Sequence, residues 1–221
     1  MGQPIARYEA RHKVTGEPIY PADEPIANPL YAYFLTSGIA RGRIRSIDTS
    51  EAEALTGVIK VYTHRNAPER QQLKHMTSGG PMGDSNLPMA DAQIRNDGDI
   101  VAMVIADSYE TARDATRRIR VRYDEDRPSA SFGSPGAVTD HPDLLDAKEK
   151  SAGDFDGAFA SAPVTIDHEY STPTQHHNPL ELFSTIAVWK GDDLSLYEPS
   201  QFVYALANAV PAQLGMEGQK A

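Results

Sequence analysis

The chain contains no cysteine in 221 residues. That excludes disulfides, thiolate zinc sites, cysteine nucleophiles and any iron–sulfur cluster held by this polypeptide. Long apolar runs are missing as well: nowhere do about eighteen apolar residues follow one another, and the opening MGQPIARYEARHKVTGEPIY has no apolar h-region. A soluble chain is expected, without a membrane span or a signal peptide of its own. Excess positive charge is also lacking. The net charge is −10 and the pI about 5.1, so the electrostatic footprint of a nucleic-acid or anionic-lipid binder is absent. Gly2 follows Met1, but Ala6 stands where N-myristoylation needs Ser or Thr. No phosphate-binding loop, dinucleotide fingerprint or nucleophile elbow occurs, GGPMG at 79–83 lacks the flanking strand and spacing of one, and no internal repeat is visible.

What is present reads as one large domain or two small ones. LYAYFLT and RIRSI have strand composition and alternation. A short helix should follow, opened by Ser50 with Glu53 at capping-box spacing and closed near Gly57, before the strand IKVY. Residues 64–92 are rich in Gly, Pro, Gln, Met and Ser and too long for an ordinary connection, so they read as a functional loop or a disordered insert. DIVAMVIA is a continuous apolar run suited to a strand buried on both faces. Asp107 and Glu110 repeat the capping-box spacing ahead of YETARDATRRI, a helix that should bury Ala112 and Ala115 and leave Arg113, Arg117 and Arg118 in solvent. IRVRY closes a second strand–helix–strand unit.

Residues 124–152 have linker composition, and a second unit begins near Gly153. There GDFDGAF suggests a helical turn, while VTIDHEYST, LFSTIAVW and LSLYE are strand candidates, the last two joined by KGDD as a hairpin. FVYALANAVPAQL should form a terminal helix with Pro211 late inside it and Gly215 at its end.

Chemistry-bearing residues concentrate in QHHNPLE at 175–181. Zinc ligation by His176 or His177 with Glu181 needs helical presentation, which Pro179 spoils. Two readings remain open. His177 and Glu181 could form an acid/base pair in which the carboxylate tunes the imidazole. Alternatively, Asn178 and Pro179 make a turn and Glu181 accepts backbone amides at a strand start. His12, His64, His75, His141 and His168 occur singly and read as surface or hydrogen-bonded residues.

Taken together, KVTGEPIYPAD at 13–23, LYAYFLTSGIARGRIRSIDTSEAEALTGVIKVYT at 30–63 and GDIVAMVIADSYETARDATRRIRVRY at 98–123 resemble the α/β hammerhead domain of the xanthine dehydrogenase and aldehyde oxidase family. GDFDGAFASAPVTIDHEYSTPTQHHNPLELFSTIAVWKGDDLSLYEPSQ is similar to the opening of that family's molybdopterin-binding domain, especially in bacterial aldehyde oxidoreductases with separate subunits. The resemblance implies an α+β fold, with a hammerhead domain over 1–123, a linker over 124–152 and the incomplete start of the molybdopterin-binding domain over 153–221. It places the H-x-x-x-E element on His177 and Glu181, and the glutamine beside the molybdenum on Gln201. Glu198 and Pro199 of YEPSQ depart from the family pattern around that glutamine. The metal in this family is held by the pterin dithiolene, so protein metal ligands are not implied.

The implied reaction is hydroxylation of an aldehyde or N-heteroaromatic carbon with oxygen from water. The family's glycine-rich GGGFGGK segment, later cofactor loops and basic glutamate are not in these 221 residues, so no catalytic residue is assigned and the chain alone is expected to be inactive. A split or truncated large subunit is the expectation. Implied partners are the remainder of the large subunit, an iron–sulfur subunit and an FAD subunit. The competing reading is a non-catalytic hammerhead scaffold or interaction module. The cytoplasm is the default compartment, with periplasmic co-export alongside a partner as the alternative. Phe183, Ile186, Val188, Trp189, Leu194, Leu196, Phe202, Val203 and Leu206 want burial but lack the rest of their domain, so an exposed apolar surface is expected on the second unit.

Overall fold

The computed structural model describes residues 2–71, 86–131, 133–135 and 152–216. The GGPMG segment, His75, His141, much of the 64–92 insert and most of the 124–152 linker lie outside these residues.

An exposed N-terminal arm carries the short helix α1 (Ala10–Thr15), closed by Gly16 in the left-handed conformation, and a 3-10 turn at Pro21–Asp23. Strands β1 (Tyr31–Thr36) and β2 (Gly42–Asp48), helix α2 (Ser50–Glu53) and strand β3 (Val58–Thr63) follow. After the insert come β4 (Gln93–Ile94), β5 (Ile100–Ala106), α3 (Tyr109–Arg118) and β6 (Arg120–Glu125). The second part has α4 (Phe155–Ser161), β7 (Ile186–Lys190), β8 (Asp193–Tyr197) and α5 (Val203–Leu214).

Strands of the first part form two three-stranded antiparallel sheets, β1-β5-β3 and β4-β2-β6. The apolar run 100–106 becomes the central strand β5, and Val101, Ala102, Val104 and Ala106 are fully or almost fully buried. A central strand with both faces covered has no reason to alternate, which is why its sequence does not. β2 sits centrally in the other sheet: Ile44 and Ile47, three residues apart, are both buried across a register shift in the pairing with β6 between Ile44 and Ser46, while Arg43, Arg45 and Asp48 face solvent. Helix α3 lays Ala112 and Ala115 against β1 and β5; both side chains are completely buried, since only small residues allow so close an approach. Its arginines stay outside, Arg118 paired with Asp114 at 2.8 Å and Arg113 over the Tyr109 ring. The resulting core joins Ile44, Ile47, Val61, Ile94, Val104 and Ile119 from both sheets.

Three local expectations are corrected. The N-cap of α3 is Ser108, whose hydroxyl accepts from Thr111 N at 3.2 Å, and not Asp107 paired with Glu110. At α2, Ser50 lies inside the helix; Asp48 Oδ1 accepts from the Ser50 amide at 3.0 Å, and Thr49 Oγ1 donates to Glu53. Gly57 is not the C-cap, which is Ala54. It instead turns the chain into β3 at φ +91°, where its carbonyl accepts from Asp107 N.

In the second part, Asp154 caps α4 by accepting from Gly157 N at 3.0 Å. β7 and β8 form a hairpin around the two-residue turn Gly191–Asp192, with Gly191 at φ +64° as tight hairpins favour. β7 starts at Ile186, four residues later than the apolar segment that predicted it. VTIDHEYST is not a strand: residues 164–172 are exposed and no strand of the described chain pairs with them. Composition supplied the extended backbone but not the neighbour that a ladder requires. Helix α5 ends at Gly215 in the left-handed conformation, with Pro211 buried within it.

Candidate functional site

QHHNPLE lies on an extended, solvent-facing stretch. His176 and His177 are exposed, and Asn178 takes φ +42°, a left-handed value that Asn tolerates better than most residues. The chain then bends at Leu180–Glu181. This is the turn foreseen from Asn178 and Pro179. Its second half, Glu181 accepting backbone amides, is not seen: Glu181 Oε1 is shielded from solvent and finds no hydrogen-bond partner among the described residues. Nor does any hydrogen bond or ion pair there join His177 to Glu181, so the acid/base pair is not assembled within this chain. Ser184 Oγ, three residues on, is likewise shielded and unpartnered. Two orphaned polar atoms so close together are unusual, because buried polar groups nearly always have partners.

Gln201 lies between β8 and α5. It is exposed, and among the described residues no group hydrogen-bonds to its side chain. Around it the backbone is tied down: Ser200 N donates to the Glu198 carbonyl at 2.9 Å, and Phe202 N to Ser200 Oγ at 3.1 Å. Glu198 in turn accepts a short hydrogen bond from Thr185 Oγ1 across the open end of the β7–β8 hairpin. Sequence reasoning marked Glu198 and Pro199 only as departures from a pattern. The bond from Thr185 depends on the register of the hairpin, which the sequence does not carry.

Many apolar side chains of this part face outward, while Ile186, Val188, Leu196 and Leu206 are half-buried. Leu180, Leu182 and Phe183 are more than four-fifths exposed, and Trp189, Phe202, Val203 and Tyr204 about half or more, whereas Leu194 is buried.

The singly occurring histidines stand apart. His12 bonds Glu17, and His168 meets the Tyr170 ring edge-on. His64 borders a cavity of about 250 Å³ between Ile44, Pro88, Asp91, Arg95 and Val101. Desolvation, assisted by the Arg65 charge and opposed by Asp91, holds its pKa below the usual imidazole value. The Arg95 guanidinium, hydrogen-bonded to Asp91, keeps that carboxyl below the usual range as well. This cavity lies in the first part, away from 176–181 and 201 in the chain. Among the described residues no three His, Cys, Asp or Glu side chains converge as a metal site. Taken singly, the exposed Gln201, His176 and His177 side chains carry hydrogen-bond donors and acceptors of the kind a polar organic cofactor engages, and among the described residues no hydrogen bond joins Gln201 to either histidine.

Comparison with known proteins places this geometry. Residues 15–127 match the model of the aldehyde oxidase and xanthine dehydrogenase a/b hammerhead domain, and residues 139–221 match that of the molybdopterin cofactor-binding domain. The aldehyde oxidoreductase molybdenum-binding subunit PaoC of Escherichia coli O157:H7 is 33% identical over 208 residues, covering 92% of this chain and 27% of that protein. Among solved structures, the aldehyde oxidoreductase from Desulfovibrio gigas superposes with a TM-score of 0.74 at 25% identity, over 95% of this chain and 25% of that one. Quinoline 2-oxidoreductase from Pseudomonas putida 86 gives 0.72 at 26% identity, over 96% and 29%. The chain thus spans little more than a quarter of the length of these relatives, from their hammerhead into the start of their cofactor-binding domain.

Proposed function

Because the chain belongs to the aldehyde oxidase and xanthine dehydrogenase family, we propose that it serves as the N-terminal portion of the molybdenum-cofactor subunit of a molybdenum hydroxylase, acting on an aldehyde or an N-heteroaromatic compound with water as oxygen source. In this reading residues 1–123 are the hammerhead, 124–152 a linker and 153–221 the first segment of the cofactor domain. The observation that carries the proposal is the order of the two matched domain models, with the second part leaving large apolar side chains such as Leu180, Leu182 and Phe183 exposed.

Gln201 would hold the cofactor through its side-chain amide, which can both donate and accept, while His177 and Glu181 shape the adjoining edge. The cofactor, when bound, supplies the oxygen-transfer and electron-accepting chemistry. The chain's own contribution is to present a rigid hairpin-to-helix corner and an apolar face. The remainder of the large subunit would cover that face and shut out water. Electrons would leave through iron–sulfur and FAD carriers on other chains, since this one has no cysteine to hold a cluster.

The test is purification of the protein with its associated chains from the native source, followed by mass spectrometry and metal analysis. The expected result is a complex holding a second polypeptide with the rest of the cofactor domain, with molybdenum, iron and flavin in it and no stoichiometric molybdenum on the isolated chain. A chain recovered only by itself, free of molybdenum and with a fully protected second part, would overturn the proposal in favour of a scaffold module.

A further inference from the structure

The segment that carries Gln201 is built as a short, stiff bridge with one side-chain anchor. The last rung of the β7–β8 ladder pairs Ile186 with Tyr197, so Thr185 and Glu198 are the next residues on each strand, where hairpin ends normally fray. Here they are joined, with Thr185 Oγ1 donating to the Glu198 carboxylate. Glu198 precedes Pro199. A residue before proline is confined to extended backbone, and the proline ring fixes the next φ. Ser200 N then donates to the Glu198 carbonyl, and Phe202 N to Ser200 Oγ, which leads into α5 at Val203. Phe202, the N-cap of α5, makes no side-chain capping bond. The start of that helix therefore depends on the 198–202 bridge for its placement. Gln201 sits inside the bridge with an uncommitted side chain, so backbone restraint decides where its amide is presented.

We propose that Glu198 is a positioning residue. Latched by Thr185, its carboxylate sets the point at which the chain leaves β8, and through Pro199 and Ser200 it sets the place of the Gln201 amide. This inference rests on the reading of Gln201 as the residue beside the cofactor. The Thr185–Glu198 pair is exposed, so its effect is placement and not stability, and a misplacement of about 1 Å can cost on the order of a hundredfold in rate.

The test has two arms. In the full chain, amide hydrogen exchange is followed across 198–203 in Glu198→Ala, Thr185→Val, the double variant, and the conservative Glu198→Gln and Thr185→Ser. In the assembled enzyme, the same variants and Gln201→Leu are compared by molybdenum content, the electron paramagnetic resonance spectrum of partly reduced molybdenum, kcat and KM. The expected result is faster exchange at 198–203 in Glu198→Ala and Thr185→Val, with kcat lowered about tenfold, KM little changed and the resonance shifted in the direction that Gln201→Leu shifts it. The double variant should be no worse than either single one, and the conservative variants should recover most of the wild-type behaviour. Additive losses, or unchanged exchange, would overturn the latch. Faster exchange without any change in kcat or resonance, while Gln201→Leu does alter the resonance, would reduce Glu198 to a purely structural residue and overturn its positioning role. A silent Gln201→Leu would remove the reading of the site itself, and the inference with it.

Discussion

Gly42 opens β2 at the point where that strand pairs with both neighbours, opposite Ile94 on one side and Glu125 on the other. Its φ is +143°, and a Cβ placed there would lie 2.2 Å from the Asp124 carbonyl oxygen and 3.0 Å from both Glu125 Cα and Ile39 Cδ1. The obstructing atom is backbone, so it cannot swing aside as a side-chain tip would. Gly42→Ala should cost about 1–3 kcal/mol in backbone strain. Displacing β6 would weaken one or two ladder bonds at about 0.5–1.5 kcal/mol each. The sum, roughly 1.5–6 kcal/mol, is a sizeable share of a typical margin of about 5–15 kcal/mol. Gly98→Ala is the matched control: its φ of +85° is also unfavourable, but nothing lies within 4 Å of the added Cβ, so only the strain of about 1 kcal/mol remains. Urea unfolding of the two variants, with unchanged slopes, measures the difference directly. If Gly42→Ala lost no more stability than Gly98→Ala, the close packing of β2 against β6 described above would be wrong.

Two further outcomes follow from the caps and from the cavity histidine. Ser108→Ala should destabilise by about 1 kcal/mol while Glu110→Ala stays within about 0.5 kcal/mol of wild type, measured by the same unfolding; the reverse order would restore Asp107 and Glu110 as the cap. His64 is held neutral by burial, so its folded pKa lies below its ordinary value of 6.5. The unfolded chain then takes up a proton before the folded one does. Stability is therefore full above pH 6.5 and declines as pH falls from there toward the lower folded value. Thermal midpoints across this range should fall less steeply in His64→Gln than in wild type, and identical slopes would contradict the burial argument.

Much of the first part was legible from composition because its signals are local and agree with one another. The run 100–106 is apolar on every residue, Ile44 and Ile47 stand among charged residues, and Ala112 and Ala115 share one helix face. The N-cap of α3 was misassigned by one residue because Asp107 and Ser108 are both good N-caps, and only the entry geometry of the chain chooses between them. VTIDHEYST was misread for a different reason: alternation reports a preference for extended backbone, whereas a strand also needs a partner, and none comes from the described chain. At the candidate site, the turn at Asn178 was readable from residue type, but the bond between Thr185 and Glu198 was not. Thirteen positions separate those residues, and only the register of the hairpin brings them together.

The order in which strands enter the two sheets governs when the first part can fold. Successive strands alternate without exception, β1, β3 and β5 going to one sheet and β2, β4 and β6 to the other. Neither sheet has two members adjacent in sequence, so no hairpin is available as an early nucleus. The first sheet waits for β5, because β1 and β3 touch only through it, and the second waits for β6. During synthesis, which runs from the N-terminus, β1 and β3 must remain without their sheet partner until 100–106 has emerged, and β2 lacks its longer partner until 120–125 has emerged. Every strand pairing of the two sheets then forms across a long connection, a topology that folds slowly and keeps strand edges open meanwhile. A chain broken anywhere between β2 and β5 would leave two fragments, neither of which contains a complete sheet.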